Sequence, residues 1–243
     1  MKKILAIALA LVFALPTLAL ADTLIMGSNC SFPPFEYIDE QGNAAGFDVE
    51  IANLIAEKLG LELYVEDMNF DGLLLALDNG EVDLVIAAMT ITEKRQEMVN
   101  FSTPYFNAQQ VVVVQKGYEG IQSYEDIQDK AVSVQDGTTG FLMATEDLGI
   151  PADKVVAFKT ANDAVAELKL GRVDCMILDS APAQVFVAQN DDLMILEGID
   201  TPTEEYGIAI KKDNEDLLAA VNELLAEIME NGVYDALIAE FFQ

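Results

Sequence analysis

Apolar side chains recur at helical spacing through Val49, Ala52, Ile55, Ala56 and Leu59, and the run closes on Gly60. Asp48 stands where a helix N-cap would, and the glycine suits a helix C-terminus. Leu61, Leu63 and Val65 then alternate with polar residues, which is the period of a strand. A second helix is expected from Asp71 to Gly80, followed by an apolar run from Leu84 to Met89 that reads as a buried strand. The same order of signals returns later, with a helical pattern over 162–170, Gly171, and a strand at Cys175 to Leu178. The two stretches even share a phrase. Leu77-Asp78-Asn79-Gly80-Glu81-Val82-Asp83 in the first corresponds to Leu168-Lys169-Leu170-Gly171-Arg172-Val173-Asp174 in the second.

Further strands are expected at Thr23 to Gly27, Val111 to Val114, Ala131 to Val134 and Lys154 to Phe158, with a return crossing at Glu205 to Ile210. Two helices, 215–229 and 233–241, close the chain around Asn231-Gly232. Strands alternating with helices imply βαβ units, hence an α/β protein of two lobes with a mostly parallel sheet in each. The expected lobes are 22–107 with 206–243, and 108–205, joined by two short crossings that suit a hinge.

The first 21 residues are set apart. Lys2 and Lys3, the apolar stretch from Ile4 to Leu15 and Ala19-Leu20-Ala21 form the three parts of a secretory leader, shorter than the ~20 apolar residues a membrane span needs. A soluble protein exported to the periplasm and cleaved near Ala21 is expected. Cys30 lacks the upstream residues of a lipoprotein signal. The last helix is followed by no kinase, membrane-spanning or hydrolase pattern, so a sensory role would need a separate partner.

The formal net charge is −29. Cleavage removes Lys2 and Lys3 and leaves 11 basic side chains against 42 acidic ones. Nucleic acid and anionic membrane both demand basic patches, so neither is an expected partner. Cys30 and Cys175 fall in different lobes, and two unpaired buried thiols are expected rather than a disulfide. The chain has no histidine. That excludes Ser-His and Cys-His relays and any His-containing metal site. Asp136-Gly137-Thr138-Thr139-Gly140 matches neither GxGxxG nor GxxxxGK(S/T), which argues against a dinucleotide or phosphate role. No cofactor or metal is called for.

Past the first repeat's strand come Thr90, Thr92 and Arg95, and past the second come Asp179 and Ser180. Ligands of open α/β sheets bind at the carboxyl ends of strands. A cation from one lobe and a carboxylate from the other would together satisfy a small zwitterion.

The motifs extend this reading. Ser31-Phe32-Pro33-Pro34-Phe35-Glu36-Tyr37, Gly46-Phe47-Asp48-Val49, Phe70-Asp71-Gly72-Leu73 and Met89-Thr90-Ile91-Thr92-Glu93-Lys94-Arg95 occur in order. Gly137-Thr138-Thr139-Gly140, Leu178-Asp179 and Tyr206-Gly207-Ile208-Ala209-Ile210 follow. Across the whole mature chain this series resembles the polar amino-acid binding proteins of ABC importers, the bacterial extracellular solute-binding proteins of family 3. The resemblance implies the two-lobed type II periplasmic-binding-protein fold and a monomer that closes on one free amino acid and delivers it to the membrane subunits of a permease.

By position in the family, Arg95 would pair with the ligand carboxylate, Thr90 would contact the ligand backbone and Asp179 would hold its ammonium. Thr139 would add a carboxylate contact at a helix N-terminus. Phe32 and Phe70 would wall the side-chain pocket, and Asn29 occupies a specificity position. The chemistry agrees, because an arginine fork matches a carboxylate with two parallel hydrogen bonds and a helix N-terminus favours an anion. Ala87 and Ala88 stand where the family often has serine or glycine, leaving backbone contacts at Ala88.

Asn29 is neutral where relatives preferring cationic amino acids often carry aspartate, so a neutral polar ligand such as glutamine is favoured. Two other uses of such a cleft remain. One is an enzyme, such as a dehydratase acting on a small cyclic acid with Asp179 as its acid. The other is a ligand-sensing receptor.

Overall fold

A computed structural model describes residues 22–199 and 201–242; the leader expected over 1–21 lies outside them. Two five-membered sheet paths form, one in each half of the molecule. In the first, the strands Glu62–Asp67, Thr23–Ser28 and Leu84–Val85 are parallel neighbours, Ala209–Ile210 lies antiparallel to Leu84–Val85, and Asn100–Phe101 lies antiparallel to Ala209–Ile210. In the second, Val155–Phe158, Val132–Gln135 and Cys175–Asp179 are parallel, and Phe106–Gln115 and Leu193–Ile195 continue antiparallel. Each sheet is thus mixed, with four of its five strands running the same way. The one reversed strand in each, Ala209–Ile210 or Phe106–Gln115, is the one that lies at a crossing from the other lobe.

The repeated phrase builds the same part twice. Its strand lies in the middle of each sheet. The aspartate ending each phrase closes a matched pair of bonds: Ile25 N–H donates to the Asp83 carboxylate while Asp83 N–H donates to Ile25 C=O. Asp174 does the same with Ala131. Each aspartate thereby fixes the start of its own strand to the neighbouring strand. The helices before them are Leu73–Asn79, ended by Gly80 in the left-handed region, and Ala161–Lys169, capped by Thr160.

Three expectations shift. Asp48 does not cap its helix, which runs Phe47–Leu59 from Gly46. It is buried in the first turn, and its Oδ2 accepts from Ala88 N–H at 2.7 Å and from the Tyr105 hydroxyl at 2.9 Å, more favourable for a buried carboxylate than one local bond. The run Leu84 to Met89 is buried throughout, but only two residues join the ladder, and Ala88 further along turns to φ 46°. The return crossing is two strands, Thr203–Tyr206 and Ala209–Ile210, split at Gly207.

The first of these pairs antiparallel with the beginning of Phe106–Gln115, from Thr203 opposite Gln109 to Tyr206 opposite Phe106, so both crossings run side by side. Phe35, Phe47, Phe106, Tyr206 and Phe242 pack edge-on or stacked beneath them, with centroids 4.9–6.2 Å apart. Aromatic pairs of this geometry add specificity to plain area burial. Gly46 makes that cluster possible: at φ 126° a Cβ would sit 2.2 Å from the Phe35 carbonyl oxygen. Cys30 and Cys175 are both buried and unbonded.

Candidate functional site

One cavity between the lobes gathers all of the residues expected to contact a ligand. Asn29, Phe32, Phe70, Ala88, Thr90, Arg95, Thr139 and Asp179 all line it, together with Glu36, Ala87, Gln135 and Thr138. The last four, Ala87 apart, were not anticipated.

The cationic pole is Arg95, only 8% exposed. Thr92 caps its short helix, Glu93–Met98, by accepting from Arg95 N–H, so the arginine leaves from the first turn beside the strand end. Its Nη1 donates to Thr90 C=O at 2.6 Å and its Nη2 to Gly137 C=O at 3.1 Å, while the guanidinium lies over the Phe70 ring at 5.3 Å. Burial pushes it down to about 10, opposed by the negative charges of Glu204 and Asp179. It remains a cation at neutral pH, with its plane fixed before any ligand carboxylate arrives.

The anionic pole is Asp179. It precedes the helix Ser180–Gln189, yet its side chain makes no cap bond. The Tyr206 hydroxyl donates to its Oδ2 at 2.5 Å instead. Burial, then the charge of Glu204, pushes Asp179 up to about 6. An ammonium beside it would favour the charged form.

Thr139 is the first residue of the helix Thr139–Leu142, which Thr138 caps by accepting from Phe141 N–H. The amide end of Gln135 donates to Asn29 Oδ1 at 2.9 Å, and Ser31 Oγ donates to the same oxygen at 2.7 Å. Asn29 Nδ2 donates to Met68 C=O. Asn29 is thus locked in orientation by three partners. The Ala88 N–H is already taken by Asp48.

Glu36 is the unexpected member. It is 1% exposed and lines the cavity, and its Oε2 has no hydrogen-bond partner among the described residues. Burial and the neighbouring Asp48 charge hold its carboxyl well above the usual range. Asp48 itself is pushed up to about 6 by burial, with the Ala88 and Tyr105 bonds pulling it back. Two adjacent buried carboxyls resist double ionisation, so the pair retains a proton near neutrality.

The site therefore has a fixed cation and a fixed carboxylate at one end, aromatic walls, and a buried carboxyl within the same cavity. The model for bacterial extracellular solute-binding proteins, family 3, matches residues 24–243. The chain belongs to this family. The arginine-binding extracellular protein ArtP of Bacillus subtilis is 38% identical over 226 residues, covering 90% of this chain and 86% of that protein. Holo ArgBP from T. maritima aligns with a TM-score of 0.81 at 46% identity, over 91% of this chain and 96% of its own. An ancestral arginine-binding protein has been solved with arginine, at TM-score 0.84 and 41% identity over 92% of this chain and 100% of its own. An ancestral arginine-binding protein with glutamine bound aligns at TM-score 0.85 and 41% identity over 90% of this chain and 97% of its own. The fold is the type II periplasmic-binding-protein fold.

In this family 3 protein the lobes touch across the cleft through their own side chains. Arg95 reaches Gly137, Gln135 reaches Asn29, and Lys159 bonds Asp71 of the facing lobe at 2.7 Å as well as Asp136 at 2.9 Å. The lysine bridge is half exposed and contributes little in salt. The buried contacts set the closed geometry. A Cβ on Gly137, at φ 76°, would lie 3.0 Å from the Asp71 Cβ.

Glu36 and Gln135 escaped sequence reading for a common reason. Glu36 sits in the short strand Glu36–Ile38 and Gln135 ends a strand, where alternation assigns a face but cannot say what faces it from the other lobe.

Proposed function

We propose that this solute-binding protein captures a free amino acid in the periplasm and hands it to the membrane subunits of an ABC permease. Its lobes would be 22–107 with 206–243, and 108–205, working as a monomer. In this reading Arg95 takes the ligand carboxylate with help from the helix N-terminus at Thr139, and Asp179 takes the ammonium. Thr90 contacts the ligand backbone, Phe32 and Phe70 flank the side chain, and Asn29 orients its polar end.

The observation that carries ligand identity is Glu36. A guanidinium in the cavity would supply the charge that a buried carboxylate lacks, giving each group a partner that neither can find in an apolar site. Arginine is thus favoured over the neutral side chain that Asn29 alone suggests, and the arginine-binding relatives support it. Glutamine is the second reading, since a side-chain amide also donates to a neutral or charged carboxyl and ancestral arginine-binding proteins are known with either ligand.

Proton release separates the two. In the free protein burial and the Asp48 charge raise the Glu36 carboxyl, which favours a shared proton on the Glu36–Asp48 pair. Arginine should ionise it on binding, so that affinity rises with pH, by up to about tenfold per unit, until pH passes the raised value. Glutamine brings no charge and should bind with little pH dependence. Titration calorimetry with L-arginine in buffers of different ionisation enthalpy reads the proton directly. Arginine binding with no proton released would contradict the role given to Glu36.

A further inference from the structure

Glu204 lies on the crossing strand Thr203–Tyr206, half-buried and behind the cavity rather than in its lining. A single carboxylate oxygen, Oε2, accepts the Thr90 hydroxyl at 2.7 Å, the Thr139 hydroxyl at 2.8 Å and the Gln110 amide at 3.4 Å. Thr90 belongs to one lobe, and Thr139 and Gln110 to the other. A hydroxyl has one proton to give. Once both are given to Glu204, the two threonine oxygens offer only lone pairs, and Gln110 Nε2 already approaches Thr139 Oγ1 at 3.2 Å. Neither hydroxyl is then free to donate to a ligand carboxylate, which is left to Arg95 and backbone N–H groups. What Thr90 presents to the cavity is an acceptor.

We propose that Glu204 is a specificity and positioning residue: by fixing Thr90 and Thr139 as acceptors from both lobes at once, it makes an α-ammonium on the ligand a condition of closure. This rests on the amino-acid reading of the site and adds a residue that never touches the ligand. The charge acts in the same sense, since Glu204 supports the Arg95 cation and adds to the negative potential that an ammonium meets beside Asp179.

The test compares each of L-arginine and L-glutamine with its 2-hydroxy acid analogue, which keeps the carboxylate and side chain but replaces the ammonium by a hydroxyl. Affinities would be measured by calorimetry on the full mature protein and on Glu204→Gln and Thr90→Val. For whichever amino acid binds, Glu204→Gln is expected to shrink the preference over the hydroxy acid by about tenfold or more, the scale of one charge-assisted hydrogen bond. Combining it with Thr90→Val should cost less than the two single losses together, because Glu204 acts partly through Thr90. A purely structural Glu204 would weaken both ligands alike and leave the ratio intact, which overturns the proposal. If the unmodified protein binds neither amino acid, the amino-acid reading itself fails first, and that outcome is distinct from an unchanged ratio in a protein that binds.

Discussion

Arg95→Ala is expected to remove ligand binding, with a loss of several kcal/mol, or about a thousandfold in Kd. The guanidinium is buried, held by Thr90 and Gly137 carbonyls and stacked over Phe70, so its remaining donors are aimed before the ligand enters. A ligand carboxylate closed into that cleft without it would be a desolvated, unpaired charge. Arg95→Lys should rescue little, because a point charge cannot reproduce the planar fork or span both carbonyls. The fold should survive: Thr92 and Glu93–Met98 keep their helix without the side chain. Calorimetry with L-arginine, alongside thermal melting, checks both halves. A Kd within threefold of the parent would remove Arg95 from the site.

Gly137→Val is expected to weaken binding by about a hundredfold, through closure rather than contact. The residue sits at φ 76°, where a β-branched side chain is strained by about 1–2 kcal/mol. Its Cβ would meet Asp71 Cβ at 3.0 Å and Asp71 Cα at 3.1 Å, neither of which can swing aside as a side-chain tip could. The lobes must then part, and overpacking of this kind costs about 1–3 kcal/mol more. Parting them also stretches the Arg95 to Gly137 bond that crosses the cleft. Small-angle scattering should show that the variant fails to compact when ligand is added. Parental affinity and parental compaction together would show that Gly137 is only a turn residue.

These two variants also separate what the chain spells out locally from what it hides. Arg95, Thr90 and Asp179 were legible because each follows a strand whose apolar run announces where the sheet ends, and sheets bind at that edge. The doubled phrase ending in Asp83 and Asp174 foretold equivalent central strands, and the structure gives the aspartates their matching bonds to Ile25 and Ala131. What periodicity could not supply was partnership across lobes. Asp48 looks like a cap from its neighbours, but its partners are Ala88 and Tyr105, forty and fifty-seven residues away. Glu204 stands between Thr203 and Glu205, both exposed, and nothing local says that its carboxylate bridges Thr90 and Thr139. Asn29 alone pointed to a neutral ligand; Glu36, hidden in a motif read mainly for its prolines and aromatics, changes that balance.

The central claim is that this cleft holds a free amino acid. The most direct measurement is a thermal-shift panel of the twenty amino acids, ornithine and cystine on protein unfolded, dialysed and refolded to strip bound ligand. Ligand at 100 times its Kd should stabilise the protein by about 2.7 kcal/mol, a shift of several degrees. A clear shift is expected with arginine, a smaller or comparable one with glutamine, and recovery of the ligand unchanged. Silence across the panel, or conversion of the ligand to a product, would contradict the claim.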